Sequence, residues 1–133
     1  MKIQPLYIIS GILLLSLATV HAQTPTTSRN FVMETVVKVP GKQATAELGG
    51  LPVEQANRTI SYFDGLGRPL QTVQWQAAPG KTDIISYQVY DGLGRETIKY
   101  LPYADQAGSG SFRTDHLSAQ AAYYGHRAGM RAW

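Results

Sequence analysis

Two aspartates occupy the same short sequence context, and they are the residues of this chain best placed to do chemistry as a pair. Asp64 and Asp91 each stand in a segment of the form aromatic-Asp-Gly-Leu-Gly-Arg. Two carboxylates can divide the work of a general acid and a general base, as in a hydrolase. Because the two sequence contexts are identical, they indicate that both aspartates have the same structural role, and we predict that neither aspartate is catalytic.

Other reactive side chains lack the patterns that catalysis or metal binding requires. The chain contains no cysteine, which excludes thiolate metal sites and cysteine-based catalysis. His116 and His126 do not have the close spacing of zinc ligands. The Gly-Leu-Gly runs at 65–67 and 92–94 lack the third glycine and the following helix of a dinucleotide-binding loop, and no Gly-x-Ser-x-Gly motif occurs. We therefore predict no enzymatic activity, no cofactor and no metal.

Aromatic side chains on the predicted strands form a third candidate site. Such residues most often make cross-strand pairs, each contributing about 0.2–1 kcal/mol to a sheet, and we favour that interpretation. A stand-alone surface module that binds glycan or peptide through this face stays as the alternative function. The residues of the possible binding face are Tyr62, Trp75, Tyr87, Tyr90, Tyr100 and Tyr103.

The elements that must position these residues are short strands separated by turn signals. Runs rich in β-branched and aromatic residues predict a mainly β fold, an antiparallel meander of hairpins. Alanines that follow Thr114 or Asp115, either of which could cap a helix, predict one short C-terminal helix that ends before Gly125. Strands are predicted at residues 31–39, 58–63, 70–76, 84–90 and 96–101, and the helix at 114–124.

The remaining segments complete a one-domain organisation. Residues 23–30 are polar and predict a flexible lead-in to a β-rich module at 31–103. The Gly/Ser-rich residues 104–113 predict a linker, and residues 125–133 form a tail without a pattern.

The duplicated segment has the chemistry of a tight hairpin turn. Aspartate can accept hydrogen bonds from backbone amides ahead of it, and glycine adopts positive φ without a steric penalty. The arginine that opens the outgoing strand is close enough to reach back to the carboxylate and to fix the strand register. The predicted turn residues are Asp64, Gly65, Gly67, Arg68, Asp91, Gly92, Gly94 and Arg95.

The N-terminus predicts export. Lys2 precedes a mostly apolar run, and small residues at positions 20 and 22 favour a signal peptide over residues 1–22, with cleavage after Ala22. The competing interpretation is a retained anchor, although the apolar run is shorter than a membrane span. We expect a secreted or cell-surface protein that meets the membrane only through an uncleaved signal peptide. The small net charge of +3, with no basic cluster, argues against nucleic-acid binding.

The duplicated turn resembles the YD repeats of bacterial RHS/YD-repeat proteins. Residues 50–57 (GLPVEQAN), the two turns, Leu101-Pro102-Tyr103 and residues 110–115 together look like the uncharacterised N-terminal domain of large secreted RHS-repeat proteins. The resemblance covers roughly residues 30–124.

What the resemblance implies is structural rather than catalytic. In that family, YD-repeat strands continue into a β-strand shell that encloses or presents a C-terminal, often toxic, domain. The expected function is therefore a non-enzymatic, exported module that initiates or plugs such a shell in a polymorphic-toxin or cell-surface system. Its expected partners are downstream YD-repeat segments or a related RHS protein. The sequence stops at Trp133 without a shell, which a truncated or frame-shifted reading frame would explain; a genuine short protein is the alternative interpretation.

Overall fold

Alternating burial along the strands builds a single antiparallel sheet. In β2, Ala56, Arg58, Ile60 and Tyr62 are buried while the residues between them are more exposed, which is the two-residue period of a strand with one face on a core. The computed structural model describes residues 25–42 and 44–129. Its elements are β1 Asn30–Val37, α1 Thr45–Leu48, β2 Ala56–Phe63, β3 Pro69–Trp75, β4 Ile84–Tyr87, β5 Tyr103–Ala104 and α2 His116–Gly129.

The spatial order of the strands is the same as their order in the chain. The sheet runs β1-β2-β3-β4-β5 with every neighbouring pair antiparallel. The prediction of a mainly β antiparallel meander with one short C-terminal helix is confirmed. The register places Ile60 opposite Val73 and Val73 opposite Ile85, so the apolar side chains of three strands lie in one row.

The core lies between this face of the sheet and the C-terminal part of the chain. Phe112, Ala119 and Tyr123 pack against it from the segment after β5 and from α2. On the opposite face, Val32 and Val36 of β1 are more than half exposed, and no described element covers them. The buried residues of the core cluster are Ile60, Tyr62, Val73, Ile85, Tyr87 and Tyr103.

A buried ion pair attaches the segment after β5 to the sheet. Asp83 is fully buried, and its Oδ1 accepts the backbone N–H of Gln76 at 2.9 Å. Its Oδ2 accepts the backbone N–H of Gly110 at 2.7 Å and a guanidinium N–H of Arg113 at 3.1 Å. Burial raises the pKa of the Asp83 carboxyl, and the hydrogen bonds and the guanidinium charge oppose that shift.

A second set of polar contacts holds the same segment. The Gln71 side chain accepts the backbone N–H of Arg113 at 2.8 Å and donates to its carbonyl oxygen at 3.1 Å. The Tyr62 hydroxyl donates to the carbonyl oxygen of Gly110 at 2.7 Å. Polar groups that lie within the core are thus paired with backbone groups of the covering segment, as buried polar groups require.

Residues 104–113 differ from the predicted linker. An added Cβ at Gly110 would lie 2.8 Å from Ile60 Cδ1, and one at Gly108 would lie 2.2 Å from the carbonyl oxygen of Lys81. The glycines therefore let the backbone approach the sheet closely, and they do not serve as flexible spacers.

The fifth predicted strand is also corrected. Over residues 96–101 only an isolated bridge between Tyr90 and Glu96 forms, and the last strand is β5. The Tyr100 ring stacks on Tyr87 at 4.6 Å. The carbonyl oxygens at 101 and 102 accept hydrogen bonds from α2 side chains, so this stretch is held by side chains and not by a strand partner.

The C-terminal helix is longer than predicted. The predictions for the N-terminus fall on residues that the structure does not describe. α2 continues through Gly125 to Gly129, and since a helical glycine costs only about 1 kcal/mol, Gly125 does not have to end the helix. The predicted signal peptide, the start of the lead-in at 23–24 and the last tail residues at 130–133 lie outside the described residues. Within the described ranges, no helix is long and apolar enough to cross a membrane.

The buried ion pair makes a stability prediction. Asp83→Asn keeps the side-chain volume but replaces one of the two acceptor oxygens with a donor, which must face either the N–H of Gln76 or the donors of Gly110 and Arg113. Breaking a buried pair in this way should lower the free energy of unfolding by about 3–5 kcal/mol, measured by urea denaturation. The control is Glu96→Gln, which removes the pair with the exposed Lys99 and should cost no more than about 1 kcal/mol. Equal losses in the two variants would contradict the importance of the buried pair.

Candidate functional site

The first copy of the duplicated segment closes the β2–β3 hairpin around one carboxylate. Asp64 Oδ1 accepts the backbone N–H groups of Leu66 at 2.9 Å and Arg68 at 2.8 Å. Oδ2 accepts the Nε–H of Arg68 at 2.6 Å. The backbone N–H of Asp64 donates to the carbonyl oxygen of Arg68 at 3.0 Å, and that of Gly67 donates to the carbonyl oxygen of Asp64 at 3.1 Å.

The second copy repeats this geometry between β4 and the extended chain that leads to β5. Asp91 Oδ1 accepts the backbone N–H groups of Leu93 and Arg95, both at 2.9 Å. Oδ2 accepts the Nε–H of Arg95 at 2.9 Å. The backbone bonds between Asp91 and Arg95 and between Gly94 and Asp91 recur as well. The same sequence therefore folds twice into the same turn.

Positive φ explains one glycine in each turn. Gly67 has φ 78° and Gly94 has φ 76°, in the left-handed region that strongly favours glycine. Gly65 and Gly92 have ordinary φ and no atom within contact range of an added Cβ.

The electrostatics of the turns favour ionised carboxylates. The backbone hydrogen bond from Arg68 lowers the pKa of Asp64, and the one from Arg95 lowers the pKa of Asp91. Both oxygens of each carboxylate accept hydrogen bonds from within the turn. A general acid or base works best with a pKa near the operating pH, so this arrangement is unsuited to proton transfer at neutral pH.

The two turns contact one another through the first arginine. The Arg68 guanidinium lies over the Tyr90 ring at 4.6 Å, and the Tyr90 hydroxyl donates to the carbonyl oxygen of Pro69 at 2.8 Å. An added Cβ at Gly94 would lie 2.7 Å from an Arg68 guanidinium nitrogen. The first turn thus rests on the residue that precedes the second aspartate and on the second turn's glycine. The equivalent Arg95 has a side chain that is 68% exposed.

The aromatic residues do not form a common surface. Tyr62, Tyr87 and Tyr103 are buried in the core. Trp75 donates its indole N–H to the carbonyl oxygen of Gly108 at 2.8 Å, and Tyr100 stacks on Tyr87. The structure therefore uses these side chains mainly in packing, and it brings no group of them together on an exposed face.

His116 and His126 lie in different settings. His116 packs on the Tyr87 ring at 4.4 Å, and its Nδ1 lies 3.0 Å from the carbonyl oxygen of Arg113. His126 is exposed on α2. In the part of the chain that the structure describes, no group of three or more His, Cys, Asp or Glu residues could hold a metal ion.

Sequence reasoning missed the polar residues that organise the core. Asp83, Gln71 and Arg113 are joined across the sheet face, and Arg58 donates to the carbonyl oxygens of Leu48, Gly49 and Leu51. The sequence does place Asp83 directly before the apolar strand β4. It also places Arg58 two residues before Ile60, so that Arg58 falls on the same face of β2 as Ile60 and Tyr62. Neither pattern identifies the partner.

Comparison with known proteins gives one match. The sequence model of one family, described as a domain of unknown function (DUF6443), matches residues 34–132. A search of the curated proteins and a search of the solved structures gave no match.

The turn geometry predicts that alanine destabilises the chain at Gly67 but not at Gly65. Gly67→Ala forces a Cβ into left-handed backbone and should lower the free energy of unfolding by about 1–2 kcal/mol. Gly65→Ala, the matched control in the same turn, should be neutral or slightly stabilising because its φ is ordinary and its surroundings are open. Thermal unfolding of the two variants tests this, and a loss of stability in Gly65→Ala equal to that in Gly67→Ala would contradict it.

The lowered carboxyl pKa values predict a dependence of stability on pH. A depressed folded-state pKa adds stability above the unfolded value of about 3.9, and this stability is lost as the pH falls through the folded-state pKa. The double variant Asp64→Asn/Asp91→Asn should therefore be less stable than the wild type at neutral pH and should lose less stability on acidification. Urea unfolding at a series of pH values measures both effects. Parallel pH profiles for the two proteins would rule out this contribution.

Proposed function

The chain belongs to the DUF6443 family, and we propose that it is a non-enzymatic, exported structural module that initiates or plugs the β-strand shell of an RHS/YD-repeat protein. Its partners in this proposal are downstream YD-repeat segments or a related RHS protein. The proposal combines the resemblance of the turns to YD repeats with the way in which the two turns meet.

The observation that carries the proposal is the contact from Arg68 to Tyr90 and Gly94. It joins the arginine of one turn to the aromatic residue and the glycine of the next, and those three residue types occur in both copies. The same contact can therefore form again between the second turn and a third. Arg95 is equivalent to Arg68 and is mostly exposed, so the aromatic ring and glycine of a third turn would fit against it. A series of such steps would stack turns along one end of a growing sheet.

The state of the carboxylates supports a structural role over a catalytic one. Asp64 and Asp91 are both engaged by backbone amides and by arginine, which fixes the geometry of each turn and, after the first turn, the register of β3. The order of the strands supports the role as well. Because β5 is the last strand of the described residues and lies at one end of the sheet, strands that follow it can be added without rearranging the others.

Export through the N-terminal signal is part of the proposal. An apolar run with a basic start and small residues before Gln23 supports secretion or display at the cell surface. A surface system also fits the absence of cysteine if stability comes from assembly with further strands, since a small exported domain without disulfides has few other means of stabilisation.

The proposal predicts binding of further YD turns at Arg95. The probe is a fragment of an RHS-repeat protein with two consecutive YD turns and their strands, titrated against residues 23–133 of this chain by calorimetry. We expect the fragment to bind and Arg95→Ala to weaken binding by about two- to fivefold, because an exposed cation–π contact contributes about 0.5–1 kcal/mol. Lys99→Ala is the control, since Lys99 is also exposed and cationic but pairs with Glu96 outside the turn.

One result would refute the proposed function. If the mature chain is a stable monomer with no affinity for any YD-repeat fragment, it does not act as the start or plug of a strand shell.

A further inference from the structure

The sheet begins at β1, an edge strand whose outer side is open in the described part of the chain. β1 has one strand neighbour, β2, and pairs with it residue by residue from Asn30 to Val37 without a bulge. Edge strands of soluble proteins are usually short, or they carry lysine, proline or a bulge that prevents pairing with another chain. β1 is eight residues long, has Glu34 as its one charged residue and contains none of these protections. An edge of this kind is available to a further strand.

The ladder between β1 and β2 determines which backbone groups of the edge are free. The backbone N–H of Lys38 donates to the carbonyl oxygen of Gln55 at 2.8 Å, one step beyond the last pair of the ladder, Val37 with Ala56. In an antiparallel pair, residues that bond to the partner strand alternate with residues that point away from it. The even-numbered positions of β1 therefore face β2, and the backbone groups of Thr35 and Val37 are among those that point outward.

The side chains beside this edge combine exposed apolar groups with two opposite charges. Val32 is 61% exposed and Val36 is 53% exposed. Glu34 and Lys38 lie on the same face of the chain as Val36, because side chains two residues apart share a face. Glu34 is exposed and forms no ion pair among the described residues. Lys38 is exposed as well, and its ammonium group donates to the carbonyl oxygen of Val53, which leaves further N–H groups for another acceptor.

The spacing of these side chains makes β1 complementary to a second copy of itself. With a two-fold axis at Val36, two antiparallel β1 strands place Val36 opposite Val36, and Glu34 opposite Lys38 of the second copy. These positions form no backbone bonds across the interface, and side chains approach most closely there, with Cα atoms about 4.5 Å apart. Thr35 and Val37, whose backbone groups point outward, then fall opposite one another on the hydrogen-bonded positions.

The neighbouring registers are less favourable. An axis at Glu34 would place two carboxylates directly opposite each other, which destabilises a strand pair. An axis at Met33 or Thr35 would place Glu34 opposite a valine, without a partner of opposite charge. The charge pattern therefore selects the axis at Val36. It favours a second copy of the chain over an unrelated strand, because one two-fold axis satisfies both charge pairs.

We propose that β1 pairs with β1 of a second copy of this chain, so that one antiparallel sheet continues through a two-fold dimer. This inference goes beyond the proposed function and does not rest on it. Backbone hydrogen bonds between Thr35 and Val37 join the two edges. The Val36 side chains meet at the axis, and Glu34 of each copy pairs with Lys38 of the other.

Exchange of the two charges tests the dimer and its register. The oligomeric state of residues 23–133 is measured by sedimentation velocity from about 1 μM to 1 mM, and we expect a reversible dimer. Glu34→Lys and Lys38→Glu, tested separately, should each weaken the dimer by about tenfold or more, because the symmetry turns both attractive pairs into repulsive ones. An equimolar mixture of the two variants should form a heterodimer, since opposite charges then face each other again at both pairs.

The control for these variants is Lys99→Glu. It makes the same change of charge as Lys38→Glu on a side chain that is 88% exposed and lies outside β1. The dimer should therefore be as stable as that of the wild type.

A further variant tests the backbone pairing. Thr35→Pro removes one of the outward N–H groups, at a position where an edge strand tolerates proline, and β1 keeps its bonds to β2. We expect a monomer over the same concentration range with an unchanged circular dichroism spectrum. The charge variants keep the inference open to refutation if Thr35→Pro does not fold.

Three results would contradict the inference. A wild-type chain that stays monomeric over the whole range would refute the dimer, even if a YD-repeat fragment binds at the β1 edge. A dimer that Glu34→Lys, Lys38→Glu and Thr35→Pro leave unchanged would have its interface elsewhere. A mixture of the two charge variants that does not recover the dimer would overturn the axis at Val36. Because dimerisation is measured without a YD-repeat fragment, none of these results decides the proposed function.

Discussion

The attachment of the segment after β5 to the sheet is the interaction on which the fold depends. The Asp83 carboxylate is central to this contact. It accepts hydrogen bonds from the backbone N–H of Gln76 and, within the segment itself, from the backbone N–H of Gly110 and the guanidinium of Arg113. This attachment holds the backbone after β5 close to Ile60, and Phe112 and α2 pack on the core from the same part of the chain. A buried carboxylate is costly when unpaired, so the structure retains it only with all three donors in place.

The same chemistry, a carboxylate that accepts both backbone and arginine donors, recurs at the surface with a different result. Asp64 and Asp91 organise local turns, and they need no distant partner because every donor lies within four residues. The Asp83 contact joins residues that are far apart in the chain. The local turns shape the chain reversals, and the long-range contact holds the covering segment on the apolar face of the sheet.

This difference between local and long-range contacts explains which parts of the fold were predictable from the sequence. The turns at Asp64 and Asp91 were readable because a short motif contains all of its hydrogen-bonding groups, and β2 to β4 were readable from β-branched and aromatic runs. Residues 96–101 have strand-like composition, yet the stacking of Tyr100 on Tyr87 and the bonds from α2 hold them without a strand partner. The glycines at 108 and 110 suggest a linker by composition, whereas only their neighbours reveal a close backbone approach. The helix continues past Gly125 because a helical glycine costs only about 1 kcal/mol, so glycine alone does not fix a helix end.

The amino-acid sequence by itself determined the type of fold and the duplicated turn, because each depends on interactions between residues that are close in the chain. Only the tertiary structure decided that Tyr62, Tyr87 and Tyr103 are core residues, that Asp83 meets Arg113, and that Arg68 of one turn rests on Tyr90 of the next. It also decided that the sheet ends at β5 and that the Tyr103 hydroxyl is enclosed without a hydrogen-bond partner among the described residues. These features depend on which distant segments pack together, and that choice is made by the free energy of the whole chain and not by any local pattern.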